Sequence, residues 1–238
     1  FNAGGSGEWE VRKGKDRFGL GISYEDTDYN QTTLADSQIY TIPVNYYYEY
    51  NPKNFLSTGF SYRKADLRIP STGAKTNYTD YKYNIGWRRD EDPKITGTFN
   101  IGFNQRQPNV GKNESSFDVN ANLSYNATDK TGYTLGLSND FGQSSVGVSQ
   151  KTFRVNLGVT HKINQSWSAK GETSFSTTDY LGARRDDYSD AKVALSWLAL
   201  PKYGVSLEAS YSYKNNTSNV AGSSYNGSTF GLTASARY

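Results

Sequence analysis

The sequence predicts an all-β protein: an antiparallel transmembrane β-barrel with about 12–14 strands in this chain, read as one domain over residues 1–238. Three observations carry this. Segments of roughly ten residues alternate apolar with polar along the whole chain. Turn residues separate them at regular intervals. The composition is too polar for a dry core yet too aromatic for disorder.

The alternation is plainest at the end of the chain. In Thr229–Tyr238, Phe230, Leu232, Ala234, Ala236 and Tyr238 take one parity, and Thr229, Gly231, Thr233, Ser235 and Arg237 the other. Successive strand side chains point to opposite faces, so each segment is a ribbon with one oily and one wet side. Hydrophobic residues make up 35% of the chain and mean hydropathy is −0.76, low for a soluble core of this size. With 20 Tyr, 11 Phe and 4 Trp, the chain is not a disordered one. No run of 18 apolar residues is present, so no transmembrane helix is expected. The net charge of +3 comes from intermixed acids and bases, which gives no case for nucleic acid.

Turn signals alternate between short and long. The short ones are Gly14-Lys15-Asp16, Asn51-Pro52-Lys53, Glu91-Asp92-Pro93, Thr128-Asp129-Lys130, Asn164-Gln165-Ser166 and Pro201-Lys202. The long ones centre on Gln31–Asp36, Pro70–Thr76, Pro108–Ser115, Gly142–Ser149, Leu181–Asp187 and Asn215–Ser228. Outer-membrane barrels place short turns in the periplasm and long loops outside. That orientation puts the C-terminus in the periplasm.

The oily parity then reads strand by strand. The second strand offers Phe18, Leu20, Ile22 and Tyr24; the third Tyr40, Ile42, Val44, Tyr46 and Tyr48; the fourth Leu56, Phe60 and Tyr62. Next come Tyr81, Tyr83, Ile85 and Trp87, then Phe99, Ile101 and Phe103, then Phe117, Val119, Leu123 and Tyr125. Tyr133, Leu135 and Leu137 precede Phe153, Val155, Leu157 and Val159. Trp167, Ala169 and Phe175, then Val193, Leu195 and Trp197, then Val205, Leu207, Ala209 and Tyr211 lead into the last strand. Aromatics favour the ends of these sets. Trp9, Tyr24, Tyr48, Trp87, Trp167, Trp197, Tyr211 and Tyr238 are the expected membrane girdle.

The opposite parity is expected to be polar throughout and to line a hydrated lumen. Its charged members are Arg17, Glu25, Asp80, Lys82, Arg88, Asp118, Arg154, Lys170, Glu172, Asp190, Lys192, Glu208, Lys214 and Arg237. Such charges would cost several kcal/mol each in a dry core, and little beside water. At about fourteen strands, ~4.8 Å apart and tilted by ~40°, the backbone diameter is roughly 28 Å. Salt bridges among the inward charges, or a folded-in loop, would narrow or block that path.

The count of strands raises a question of closure. Phe1, Ala3, Gly5, Gly7, Trp9 and Val11 alternate with polar residues and end in a short turn, so the first strand runs in the same sense as the last. Thirteen strands give two parallel ends, whereas bacterial barrels have even numbers. The favoured reading is a chain forming the C-terminal part of a larger barrel, with an upstream segment or second polypeptide beside Phe1–Arg12. Parallel closure and a first segment outside the wall are the alternatives.

Site chemistry is sparse, and no catalytic residue is assigned. The only histidine, His161, has outward parity near a short turn, the wrong end for a barrel hydrolase. One histidine and no cysteine argue against a transition-metal site, and no cofactor is expected. Carboxylates in the long loops leave calcium as an alternative. The glycines of Gly19-Leu20-Gly21 and Gly132–Gly136 lie in strands with no following helix, so they are not phosphate loops.

Two hairpins, Tyr46-Tyr-Tyr-Glu-Tyr-Asn-Pro-Lys-Asn and Thr160-His-Lys-Ile-Asn-Gln-Ser-Trp-Ser-Ala-Lys-Gly, together with Thr229–Tyr238, carry a family resemblance. The chain resembles the β-barrel porins found beside bacterial exopolysaccharide secretion genes; such hairpins also occur in barrels that sheath periplasmic multihaem cytochromes and in small porins generally. The resemblance implies a Gram-negative outer-membrane barrel larger than thirteen strands. It also implies that Tyr238 is the terminal aromatic presented to the barrel assembly machinery. The expected role is a passive channel for hydrophilic solutes or a secreted polysaccharide, with the bilayer and lipopolysaccharide as surroundings. The alternative is a structural barrel that scaffolds or sheaths a partner without a free pore.

Overall fold

The computed structural model describes residues 1–12, 15–181 and 184–236. Thirteen strands form one antiparallel sheet in sequence order, from β1 (Asn2–Arg12), β2 (Asp16–Thr27), β3 (Asp36–Asn51) and β4 (Asn54–Ile69) to β5 (Ala74–Arg89). It continues through β6 (Ile95–Pro108), β7 (Glu114–Asn126), β8 (Thr131–Gln143), β9 (Ser149–Lys162) and β10 (Trp167–Tyr180). It ends in β11 (Arg184–Leu200), β12 (Val205–Ser218) and β13 (Tyr225–Ser235), with a 3-10 turn at Pro201–Tyr203. β1 pairs β2 and β13 pairs β12, and among the described residues each terminal strand has a neighbour on one edge only. Gly14, expected in the first short turn, Gly182, expected in a long loop, and Arg237 and Tyr238, expected to line the lumen and the girdle, lie outside the described residues.

The register follows the parity read from the sequence. Phe18 opposes Trp9 on one side and Tyr46 on the other. Leu56 lies between Tyr48 and Trp87, and Leu195 between Ala169 and Ala209. A slip of one residue would move each strand's oily set to the wrong face, so these rows fix one another. The oily face is the uncovered one: Ile22 is 58% exposed, Ile85 61%, Val193 60% and Leu232 76%. A soluble protein does not present aliphatic rows of this length to water. A hydrocarbon solvent covers them.

The strands are longer than their apolar stretches suggested. β3, β4 and β5 each run for 16 residues and β11 for 17. The extra length lies mostly at the end expected to carry long loops. The connection expected at Asn215–Ser228 shrinks to 219–224, and that at Pro70–Thr76 to 70–73, because polar residues flanking the apolar band still pair across the ladder. Asp186 opposite Ser218 and Arg68 opposite Lys75 are examples. The contrast between short and long connections is therefore weaker than the sequence implied.

The chain divides into two compact units. The first contains Phe1–Glu91, Thr98–Asn120 and Asn139–Lys151; the second contains Asp92–Gly97, Ala121–Ser138 and Thr152–Tyr238. Within the first unit the polar face is concave. Glu8 on β1 reaches Arg88 on β5, four strands away in the order, at 2.6 Å. In the second unit Gly97 takes φ 135°, and a Cβ there would run into the Asn122 carbonyl, so the close approach of these two segments requires glycine.

Trp9, Trp87, Trp167 and Trp197 all sit within a few residues of the short-turn ends of their strands. Trp167 and Trp197 face each other in register and stack at 5.8 Å with 12° between the rings. Trp87 donates its Nε1–H to Asn54 Oδ1 at 3.3 Å. Tyrosine pairs are spread along the strands: Tyr24 with Tyr40 at 4.7 Å toward the opposite ends, Tyr62 with Tyr81 at 5.8 Å at mid-strand, and Tyr125 with Tyr133 at 6.3 Å beside a short turn. Indole rings at the short-turn ends of strands suit a headgroup interface. In vesicles, lipids brominated near the headgroup are expected to quench the tryptophan fluorescence strongly and lipids brominated near the chain end weakly. Stronger quenching by the deep bromines would contradict the assignment.

Candidate functional site

The inner face of the first unit carries a network in which charges are paired and charge-balanced. Asp80 on β5 is 2% exposed and lies between two guanidinium groups. Arg106 on β6 donates from Nε to Asp80 Oδ1 at 2.7 Å and from Nη2 to Oδ2 at 2.8 Å, a two-pronged geometry that only arginine offers. Arg63 on β4 donates from Nε to Asp80 Oδ2 at 2.8 Å. Its Nη1 reaches Asp140 Oδ2 on β8 at 3.1 Å. Lys82 lies 2.8 Å from Asp118 and 3.5 Å from Asp140. Asn104 donates to Asp140 Oδ1 at 2.6 Å. Three cations thus face three carboxylates.

A second network lies toward the short-turn end. Arg88 donates to Glu8 at 2.6 Å and to Asp90 at 2.9 Å, and Arg17 lies 3.4 Å from Glu8. The Arg88 guanidinium sits 4.8 Å from the Tyr47 ring centroid and that of Arg17 4.4 Å from Phe55, so aromatic faces share in holding the cations.

A polar cavity of 230 Å³ lies on the inner face between Lys82 and Asp118 on one side and Arg88 on the other. Its wall is mostly uncharged: Asn45, Ser57, Ser61, Asn84, Asn100 and Asn120. The carboxamides fit beside glycines. Gly59 lies between Asn45 and Asn84 in register, and a Cβ there would come within 2.5 Å of the Asn45 side-chain oxygen. Asn100 occupies the space over Gly86 in the same way.

The tip of β8 and the connection to β9 turn onto this face. The alternation slips at Asp140–Phe141, where both side chains lie inside: Phe141 is 3% exposed, with its ring 5.0 Å from the Arg106 guanidinium. Arg63 donates to the Phe141 carbonyl at 2.7 Å. Arg106 Nη1 donates to the Gly142 carbonyl and to Ser149 Oγ, both at 2.7 Å. The Tyr78 hydroxyl donates to Gln143 at 2.8 Å, and the Ala35 amide to the Ser145 carbonyl at 2.8 Å. Beneath the connection lies an apolar cluster of Ala35, Ala65, Leu67 and Tyr78, joined by Ile39 and Ile69. This corrects the expectation that the inner parity is polar throughout. These side chains have inward parity and are apolar because they pack under a covering segment rather than against water.

The remaining expected lining residues divide. In the second unit Lys170 lies 2.8 Å from Glu172, Thr173 Oγ1 donates to the Asp190 carbonyl at 2.8 Å, and Ser196 donates to Glu208 at 2.9 Å. Ser174 bonds the Asp190 carboxylate. Lys192 opposes Glu172 in register, and Lys214 opposes Asp190. Glu25, Arg154 and Lys214 are exposed. Arg63, Arg106 and Asp140, which carry the main network, were missed. Extending the parity of Phe99, Ile101 and Phe103 past the apolar run to Arg106 would have found it.

Among the described residues no group of His, Cys, Asp or Glu is placed to hold a metal ion. Four carboxylates, Asp26, Asp28, Asp36 and Asp66, line a 430 Å³ cavity at the opposite strand ends, with Arg68 and Lys75 in the same wall. His161 is exposed, its Nδ1 lying 2.9 Å from Thr131 Oγ1.

The buried and exposed pairs should differ sharply in weight. Asp80→Asn removes the carboxylate charge that faces a guanidinium only 1% exposed, and should cost about 3–5 kcal/mol in urea unfolding from micelles. Glu172→Gln, in a pair more than 40% exposed, should cost at most about 1 kcal/mol. Equal costs would mean that the Asp80 network is as hydrated as the surface.

The fold is found in solved transporters at low sequence identity. The FrpB iron transporter from Neisseria meningitidis matches at TM-score 0.59 and 10% identity, covering 90% of this chain and 43% of that one. The ferric citrate transporter FecA matches at 0.54 and 13%, covering 97% and 46%. The copper transporter OprC matches at 0.54 and 8%, covering 97% and 56%. The chain therefore spans about half the length of these structures. No curated protein matches the sequence. Residues 12–238 match the family described as "Putative beta-barrel porin 2". With that match over nearly all of its length, an all-β antiparallel sheet and an oily outer face, the chain belongs to this family of β-barrel porins.

Proposed function

We propose that the protein is a non-enzymatic outer-membrane conduit for hydrophilic solutes, with the concave face of the first unit as part of the solute path. The observation that carries this is the asymmetry of the two faces. Aliphatic and aromatic rows lie uncovered on one, and hydrogen-bonding groups and balanced charges cover the other. A path walled by carboxamides and paired ions exchanges hydrogen bonds with a polar solute without presenting a net field. A secreted polysaccharide, the passenger the family resemblance suggests, is the finer form of the same proposal. The short-turn ends, with their tryptophans, are assigned to the periplasmic side and the other ends to lipopolysaccharide. The free edges of β1 and β13 are assigned to further strands, from an upstream segment or a second polypeptide next to Phe1–Arg12.

A scaffold that sheaths a partner is the second reading, favoured by the density of bonds between β8 and the wall at Arg63 and Arg106. Planar bilayers separate the two. The conduit reading expects steady single-channel steps with a reversal potential near zero in a potassium chloride gradient, because the lining charges balance. A folded, membrane-inserted protein that gives no steps and passes no small sugar in liposome swelling would favour the scaffold.

A further inference from the structure

We infer that the β8–β9 connection, Ser144–Val148, is an inward constriction that sets the size limit of the solute path, with Arg106 and Arg63 as its anchors. The inference rests on the conduit reading and assigns its selectivity to one element.

Four observations converge. In the sheet order β8 lies between β7 and β9, yet its end is bonded to β4, β5 and β6 side chains across the concave face. The connection is compact in itself. The Ser144 amide donates to the Val148 carbonyl at 2.9 Å, the Gly147 amide to the Ser144 carbonyl at 2.9 Å, and the Val148 amide to Ser144 Oγ at 3.1 Å. A closed turn of this kind moves as a body rather than as a loose chain. Its tip rests on the wall: at Gly147, φ 77° favours glycine, and a Cβ would lie in a tight 3.2 Å contact with the Ala35 Cβ and in ordinary contact, at 3.9 Å, with Ile69 and Leu67. Finally, Arg106 is 1% exposed and bonds both the wall, through Asp80, and the two strand ends that flank the connection, through Gly142 of β8 and Ser149 of β9.

A buried arginine with one prong pair on a carboxylate and another nitrogen on both stems of a turn holds those stems at fixed distance from the wall. Dispersion against the apolar cluster adds to the hold. The amide-lined cavity at Asn45, Ser61 and Asn84 lies on the same concave face, farther along the strands toward the short turns. Large solutes approaching from the long-loop end meet the turn before the cavity.

The absence of native cysteine allows a direct test. Ser61→Cys puts one thiol in the cavity wall, and maleimides of graded size are added to the intact protein in vesicles. Two variants are compared with the parent: replacement of 144–148 by Gly-Gly, and Arg106→Ala. Heat-modifiable mobility on gels checks that each is folded. Because Arg106→Ala removes a buried partner of Asp80, the Gly-Gly replacement keeps the test decisive if that variant does not fold. The inference expects labelling by a bulky maleimide to rise at least tenfold on loop replacement, while a small one changes less than twofold. Unchanged ratios in a folded variant overturn it. Labelling does not depend on conduction. A channel that never conducts, with labelling that still responds to the loop, refutes the open-conduit reading and leaves the constriction standing.

Discussion

A strand crossing hydrocarbon has no water for its N–H and C=O groups, so every one must pair with a neighbouring strand. That constraint sets most of what this chain does. It makes the strands antiparallel and long, and joins each to the next in sequence, because a hairpin is the shortest way to bring in a partner. It also removes the need for an oily interior, since the bilayer supplies the apolar phase. Apolar side chains then belong on the outside, where Ile22, Ile85 and Val193 lie, and the inner face is free for chemistry.

That freedom is used in two ways. Along most of the first unit's concave face, polar groups answer one another: Asp80 with two arginines, Lys82 with Asp118, Arg88 with Glu8 and Asp90. Such pairs are poor sources of net stability, because desolvation offsets attraction. They are better at fixing geometry. Arg106 can satisfy Asp80, Gly142 and Ser149 together only when the end of β8 lies across the wall. At the long-loop end the same face becomes apolar, and the covering turn there lets Leu67 and Ile69 avoid water.

Much of the architecture was legible in the sequence, because the two-residue period of a strand is written directly into residue order. The outward rows follow from it, and turn residues mark the short connections. Four features did not. Strand length was underestimated, since polar residues beyond the apolar band, such as Arg68 and Asp186, pair in the ladder without an apolar signal. The inner cluster of Ala65, Leu67 and Tyr78 was overlooked, because a rule that assigns water to one parity has no place for a covering segment. Arg63, Arg106 and Asp140 come from β4, β6 and β8, and only the curvature of the face brings them together. The slip at Asp140–Phe141 has no residue-level mark, and it turns the connection inward.

The central claim is that one face of each strand meets lipid and the other water. A spin-label scan along Tyr81–Arg88 of β5 in vesicles tests it most directly. Collision rates with oxygen should peak at Tyr81, Tyr83, Ile85 and Trp87. Those with a water-soluble nickel complex should peak at Lys82, Asn84, Gly86 and Arg88, out of phase by one residue. If the two profiles rise and fall together, or lack a period of two, the account of this protein as a membrane-spanning sheet with a wet inner face is wrong.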